Sequence, residues 1–311
     1  MRPTGDARPP LAPHDALAVA AAVAAARRAG VLHRLVLGAA DASTVAADCL
    51  LDASATDALL GALTSIGLAR RGADGRYAVG FESVGVLDRL LALWDGLDQT
   101  LVTGAPVLSV GEPAVAGPVY AELARFVSSF GGPSARAVQL LAAPNRTVLD
   151  VGAGTAKWSR ALLAAEPSMR ATALDLAEVV HVTRQAVAHD GLAERFDFVA
   201  GDLFRAKAGG PFDLAIVAGV CHLFEGVAVR RLLTRAVHWL LPRGELVLAQ
   251  PFPADDVQGA FYALGLRLRT TGGGLHPFSS YAAWLIDAGF ERVELLEADP
   301  PMTLIRARRA Q

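Results

Sequence analysis

The sequence predicts an α/β chain in two parts: a helical N-terminal module closed by a small hairpin, then a mostly parallel sheet with helices on both faces. Three observations predict it. Before residue 80, stretches of helical apolar period give way to two short β-like runs around a glycine turn. From Thr147 onward, short apolar runs alternate with amphipathic stretches of helical length, the pattern of strands joined by crossover helices. The last two runs, Arg292–Glu297 and Met302–Arg308, are joined only by Ala298-Asp299-Pro300-Pro301. A link that short makes an antiparallel pair.

Residues 1–13 are proline-rich and read as a loose start. An alanine-rich, buried helix is expected from His14 to Arg28, ended by Gly30 at a C-cap position. A short helix around Leu32, Leu35, Val36 and Leu37 follows, then a second helix capped at Ser43-Thr44 and running through Cys49. A third spans Ala55–Leu68, with Leu59, Leu60, Leu63 and Ile66 on one face. Ala69-Arg70-Arg71 and Tyr77-Ala78-Val79 flank the turn Gly72-Ala73-Asp74-Gly75 as a hairpin. Helix, helix, helix, hairpin is the order of a winged helix.

That order invites a DNA-binding reading, and charge decides against it. The third helix contains no Lys or Arg from Thr56 to Gly67, and Asp41, Asp48, Asp52 and Asp57 surround it. Duplex binding needs phosphate neutralisation and basic or amide groups at base edges. A packing or dimerisation module is expected instead, with no nucleic-acid partner. The whole chain agrees: 29 basic residues stand against 31 acidic ones, a net charge of −2, which provides no basic field.

Of the 311 residues 53% are hydrophobic and only 19% charged, which raises the question of a membrane. The longest uncharged apolar run, Ala16–Ala26, falls short of the roughly 20 residues a bilayer requires. A leader peptide is disfavoured, because Asp6, Asp15 and several prolines crowd the region around Arg2 and Arg8. The two cysteines, Cys49 and Cys221, lack metal spacing and form no disulfide framework. A reducing cytoplasm is the expected compartment, and no metal site is expected.

Residues 83–145 read as helices interrupted at Gly104-Ala105-Pro106, Gly117-Pro118 and Gly131-Gly132-Pro133. They carry Tyr120, Phe126 and Phe130, which are candidate substrate-pocket residues. The expected division is 1–100 for the helical module, 101–145 for a helical linker lining a cleft, and 146–311 for the sheet. Within the last part the strands are Thr147–Val151, Ala171–Asp175, Phe196–Ala200, Phe212–Val217 and Glu245–Ala249. The intervening helices are Trp158–Ala165, Ala177–His189 and Val227–Leu241.

The loop Asp150-Val151-Gly152-Ala153-Gly154-Thr155-Ala156 follows the first of these strands and opens a helix. Gly152 and Gly154 permit close ligand approach, and the helix start attracts a negative group. A dinucleotide fingerprint would place a third glycine where Lys157 stands. Asp150 at the strand end suits a ligand bearing an ammonium group. Asp175 ends the second strand, where a carboxylate can accept both hydroxyls of a ribose. Asp202 ends the third and can accept from an adenine amino group, with Leu203 and Phe204 packing on the ring. Three acids at three successive strand ends point to adenosine joined to an amino acid, the chemistry of S-adenosylmethionine.

With these residues the chain resembles the S-adenosylmethionine-dependent small-molecule O-methyltransferases of plants and bacterial natural-product pathways. Val148-Leu149-Asp150-Val151-Gly152-Ala153-Gly154 is similar to that family's cofactor loop. Ala173-Leu174-Asp175-Leu176-Ala177-Glu178 resembles its ribose segment, and Gly201-Asp202-Leu203-Phe204 its adenine segment. The resemblance covers nearly the whole chain. It implies a Rossmann-like seven-stranded sheet, mostly parallel with a C-terminal antiparallel hairpin, and an N-terminal winged-helix dimerisation domain. It also implies that Asp150, Gly152 and Gly154 hold the methionine part of S-adenosylmethionine, or of the product S-adenosylhomocysteine. Asp175 with Leu176 would hold the ribose, and Asp202, Leu203 and Phe204 the adenine. A homodimer acting on a small-molecule substrate follows from the same resemblance.

Methyl transfer to a hydroxyl needs proximity, in-line geometry and a fate for the proton. His222, after the fourth strand, matches the family's catalytic histidine and is the candidate base; His276, in a glycine-rich loop, is a second candidate. Three positions depart from the family pattern. Ala156 stands where glycine is usual, and Leu223 and Leu275 stand where acids are usual. A base without an orienting carboxylate is weak, unless Glu225 or His276 substitutes. Three readings stay open: an easily ionised hydroxyl, a substrate methylated at carbon or nitrogen, and a relative that uses the cofactor for cyclisation, rearrangement, decarboxylation or hydroxylation without methyl transfer.

Overall fold

The computed structural model describes residues 12–80, 84–110, 113–129, 132–254, 256–296 and 303–311. The loose start expected at residues 1–11, Phe130 and the 298–301 link lie outside the described residues. The chain forms two compact units that divide between Ala92 and Leu93.

The first unit begins with helices α1 (Pro13–Arg28), α2 (Val31–Val36), α3 (Ala42–Cys49) and α4 (Ala53–Ser65). Strands β1 (Ala69–Arg71) and β2 (Tyr77–Val79) close it as an antiparallel pair. Gly30, with φ of 74°, links α1 to α2. Helix α3 is capped by Asp41, which accepts from the Thr44 N–H at 2.7 Å, and α4 by Asp52, which accepts from Ala55 at 2.8 Å. The caps are therefore aspartates, two residues before the Ser43 expected for α3 and three before the Ala55 expected to start α4, because a carboxylate satisfies the orphan N–H groups and favours the positive helix end. The core joins Ala26, Val31, Leu32, Leu35, Val45, Leu60, Leu63 and Tyr77. Ile66 lies at the C-cap of α4 and is 38% exposed, so it leaves the apolar face expected for it. Ala26 is the one buried residue of α1. The buried alanine helix is thus not found within one chain: alanine methyls alone give this helix little apolar area to bury.

Helix α5 (Val84–Asp95) spans the division, and α6 (Leu97–Thr103), α7 (Pro113–Ser129) and α8 (Ala135–Leu141) follow it. Pro118 does not break α7, contrary to expectation. It is the sixth residue of the helix, so the single bond that its N–H would make to the Ala114 carbonyl is lost and the ladder resumes beyond it.

The sheet is built from β3 (Thr147–Val151), β4 (Arg170–Asp175), β5 (Phe196–Ala200), β6 (Phe212–Ala218), β7 (Leu240–Gln250), β8 (Phe290–Leu296) and β9 (Thr303–Arg309). Its order is β5-β4-β3-β6-β7-β9-β8. Strands β3 to β7 run parallel, while β9 is antiparallel to both β7 and β8. Helices α9 (Lys157–Ala165), α10 (Ala177–His189), α11 (Gly226–Trp239), α12 (Val257–Arg269) and α13 (Phe278–Asp287) complete the unit. Alternate strand residues feed two cores. Leu149, Val151, Ala215 and Val217 pack with α11 and α13, whereas Val148, Ala171, Leu214 and Ile216 pack with α8 and α9. Period-two alternation in a sheet buried on both faces requires this division.

Ile305 on β9 is fully buried between β7 and β8. Ile305→Ala should therefore lower stability by about 2–5 kcal/mol, measured as a fall in the urea midpoint at unchanged slope.

Candidate active site

Strand order reverses between β3 and β6, since β4 and β5 extend to one side of β3 and β6 and β7 to the other. At such a switch point the loops after the strands diverge and leave a crevice at the carboxyl edge. A cavity of about 540 Å³ lies there. Asp150, Gly152, Gly154, Asp175, Leu176, Asp202, Leu203 and Phe204 all line it. The structure thus brings together every residue expected to hold the cofactor.

The loop after β3 turns through left-handed residues at Gly152 (φ 66°), Gly154 (φ 58°) and Ala156 (φ 54°). A side chain at Gly152 would meet Val220 at 2.5 Å, so glycine is required for conformation and for space. Ala156 adopts the same backbone region with its methyl fully buried, at the cost that region carries for L-residues.

Asp150 is 2% exposed. It accepts from the Ser159 hydroxyl at 2.5 Å and, at longer range, from the Ser159 N–H. Burial pushes its carboxyl up to about 7 despite these bonds. Asp175 accepts from the Gly154 and Leu176 N–H groups, each at 2.8 Å. Burial raises it to about 6. Asp202 accepts from the Phe204 N–H at 2.8 Å, which folds the loop after β5 into a short turn. The Phe204 ring lies edge-on to Phe224 and under the Arg231 guanidinium, 4.4 Å from its centroid. Lys157 opens α9, lines the cavity and donates from Nζ to the Ser128 carbonyl on α7.

Tyr120, on α7, lines the cavity, and its hydroxyl is buried with no hydrogen-bond partner. Phe126, on the same helix, is not among the lining residues. Leu223 and Phe224 line the wall beyond β6, but His222 between them and the sheet does not. His222 is 5% exposed, and its Nε2 lies 2.9 Å from the Tyr262 hydroxyl. Burial first, and then the Arg269 cation, depress its pKa to about 3. Gln250 fixes the backbone on either side, accepting from the Cys221 N–H and donating to the Val217 carbonyl. His276 sits elsewhere: it contacts the Phe224 carbonyl through Nε2 and packs edge-on against Tyr281 and Trp284. Glu225 packs beside Gly272. Cys221 is fully buried, and burial raises its thiol to about 12.

Tyr262 and Arg269, both on α12, escaped the sequence reading. Nothing in the period of residues 257–269 marks them, because their role comes from the packing of that helix near β6. Among the described residues no group of His, Cys, Asp and Glu forms a metal site, and no helix is long and apolar enough to cross a membrane.

The raised carboxyls carry a pH dependence. Asp150 and Asp175 bind protons more tightly folded than unfolded, so ligand-free stability falls as pH rises from the ordinary carboxylate range through about 6–7. An ammonium-bearing ligand such as S-adenosylhomocysteine should bind more tightly across that same rise, as its carboxylate partners ionise. Titration calorimetry at several pH values checks both the direction and the window.

A family model described as O-methyltransferase domain matches residues 135–291. Among curated relatives, the mitomycin biosynthesis 6-O-methyltransferase of Streptomyces lavendulae is 27% identical over 166 residues, covering 53% of this chain and 47% of that protein. The tetracenomycin polyketide synthesis 8-O-methyl transferase TcmO of Streptomyces glaucescens is 26% identical, over 52% of this chain and 48% of its own. The chain spans about half the length of these two relatives. Among solved structures, PigF with SAH superposes with a TM-score of 0.76 at 22% identity, covering 96% of this chain and 100% of that one. Since the matching model spans half of its residues and contains the strand ends that line the cavity, the chain belongs to the O-methyltransferase domain family.

Proposed function

We propose that the protein transfers a methyl group from S-adenosylmethionine to a hydroxyl of a small, largely apolar natural-product intermediate. The observation that carries this reading is the convergence of Asp150, Gly152, Gly154, Asp175, Leu176, Asp202, Leu203 and Phe204 on one cavity. The residues fit the cofactor chemically. Asp150 is a buried carboxylate whose proton affinity an ammonium group would lower, and Asp175 stands where ribose hydroxyls can donate to it. Asp202 and Phe204 offer an acceptor and an aromatic face to adenine. When bound, S-adenosylmethionine supplies an electrophilic methyl group on a positively charged sulfur.

The chain's own part is binding, orientation and exclusion of water. The left-handed loop at Gly152 and Gly154 brings backbone close to the ligand. Tyr120, Val110, Ala116, Ala124 and Val127 give the cavity an apolar wall suited to an aromatic or polyketide-like acceptor. With a pKa of about 3, His222 is a neutral imidazole near pH 7, and its Nε2 is engaged by Tyr262. Its role in this reading is to hold Tyr262 and the wall rather than to take the substrate proton. The same observation favours a second reading, in which the cofactor is bound but no methyl leaves it and the chemistry is rearrangement, decarboxylation or hydroxylation.

The first unit is assigned to dimerisation. Leu17, Leu37 and Leu50 are 73%, 76% and 94% exposed there, and α1 buries only Ala26. A second copy covering these residues would remove apolar surface from water. The absence of Lys and Arg from α4 speaks against nucleic acid as a partner, and two free cysteines suit a cytoplasmic setting. The division 1–100, 101–145 and 146–311 remains our functional partition.

S-adenosylhomocysteine at a hundredfold excess over its Kd should stabilise the native state by about 3 kcal/mol, read as a rise in Tm, and Asp175→Ala should abolish the rise. No rise in the wild-type protein would sink the reading. Methyl-labelled cofactor separates the two readings, with label in the product supporting the first. Light scattering at working concentration should give twice the mass of one chain.

A further inference from the structure

Lys157 opens α9 beside the cofactor loop, and the groups assigned to ammonium, ribose and adenine give it no part. It is one of only two lysines in the chain. Its ammonium donates to the Ser128 carbonyl in the last turn of α7, where helix carbonyls lack intrahelical partners and a cation is favoured. The aliphatic stem runs close along Gly132, since a Cβ there would meet Lys157 Cε at 2.5 Å and Nζ at 3.2 Å. Ser128, Gly132 and Lys157 all line the cavity. The ammonium is therefore held at the cavity wall, where burial first, and then the Arg160 charge, lower its proton affinity.

Thr155, two residues earlier, supplies a second group. It is 6% exposed and lines the same cavity, and its hydroxyl is buried without a hydrogen-bond partner. A buried hydroxyl left unmet is costly, and a ligand acceptor would satisfy it. Helix α9 is nine residues long, so its start adds N–H groups and the positive end of a helix dipole. Ser159, in the same first turn, holds Asp150 through its hydroxyl and N–H. A buried carboxylate, a cation and an unmet hydroxyl thus meet one cavity within a single helical turn. Opposite charges so close together match the two ends of an α-amino acid, whose ammonium and carboxylate share one carbon.

Resting on the cofactor-binding part of the methyl-transfer reading, we propose that Thr155 and Lys157 form a carboxylate-binding site at the start of α9, in which the hydroxyl and the ammonium both donate to a carboxylate of the bound ligand. The carboxylate assigned to it is the one next to the ammonium that Asp150 receives, in the amino-acid end of the cofactor. An acceptor bearing a carboxylate is the other source of the same chemistry. The role is binding and orientation, with no covalent step through either residue. Because Ser128 and Gly132 already hold the lysine in place, little side-chain freedom is lost when the carboxylate arrives.

The test compares two ligands that differ only by the group in question: S-adenosylhomocysteine and its decarboxylated analogue, which keeps adenosine, sulfur and ammonium. By calorimetry the wild-type protein should bind the first about 10- to 100-fold more tightly, the range of a hydrogen bond to a charged group. Lys157→Met should remove most of that preference and Lys157→Arg should keep most of it. Thr155→Val should lower it about fivefold while leaving the bond to Ser128 untouched. A purely structural tie between α9 and α7 would weaken both ligands alike in Lys157→Met and leave their ratio unchanged. Benzoate against benzamide, titrated onto the protein saturated with S-adenosylhomocysteine, tests the acceptor as source, and benzoate should show no advantage there. A benzoate preference that Lys157→Met removes keeps the site and gives it to the acceptor instead. No carboxylate preference in either arm, or a preference that survives Lys157→Met, overturns the site while cofactor binding stands. No binding of either adenosyl ligand overturns the methyl-transfer reading and the site with it.

Discussion

Parallel strands all deliver their carboxyl ends to one edge, and on this chain five of them do so around a reversal of strand order. The loops leaving β3 and β4 must diverge from the loop leaving β6, and the crevice between them follows from connectivity before any side chain is considered. The buried carboxylates exploit that geometry. Asp150 and Asp175 are held at the edge by short hydrogen bonds to Ser159, Gly154 and Leu176 rather than by cations. Burial without a countercharge leaves both with raised proton affinity. The site is thus built with negative charge in deficit of a partner, a condition that a ligand ammonium relieves.

Electrostatics differs behind the wall that Leu223 and Phe224 form, at His222. There the fixed charge is Arg269, and the neighbouring imidazole is kept neutral by burial and by that cation. A carboxylate near His222 would reverse this balance by stabilising imidazolium, and the leucines at 223 and 275 withhold it.

How much of this could be read from residues alone follows from where each signal arises. Strand runs such as Thr147–Val151 and Phe212–Val217 were legible because burial on both faces leaves near-continuous apolar segments. The acids at their ends were legible because strand ends are local features, and Asp150, Asp175 and Asp202 occupy consecutive ones. The cap expected at Ser43-Thr44 was placed two residues late, since Asp41 competes as a cap with the serine and threonine that follow it. Helices α12 and α13 went unnoticed, and with them Tyr262 and Arg269. The contact between Tyr262 and His222 joins residues 40 apart in sequence, and no periodicity encodes such a pairing. The low proton affinity of His222 was equally invisible, because it depends on enclosure and on a charge from another helix.

Strand β9 sits between β7 and β8, although β8 precedes it in the chain. After β7 forms, its outer edge stays unpaired while α12, α13 and β8 are all still to be placed, because its only partner on that side comes last. Strand β8 has no route into the sheet except through β9. Completion of the sheet is therefore a non-local event with high contact order, and a chain in which it has not occurred exposes a hydrophobic strand edge. The cofactor half of the sheet, β3 to β6, does not wait for this step. Topology thus separates the part of the molecule that can organise a ligand site early from the part that protects the chain against self-association.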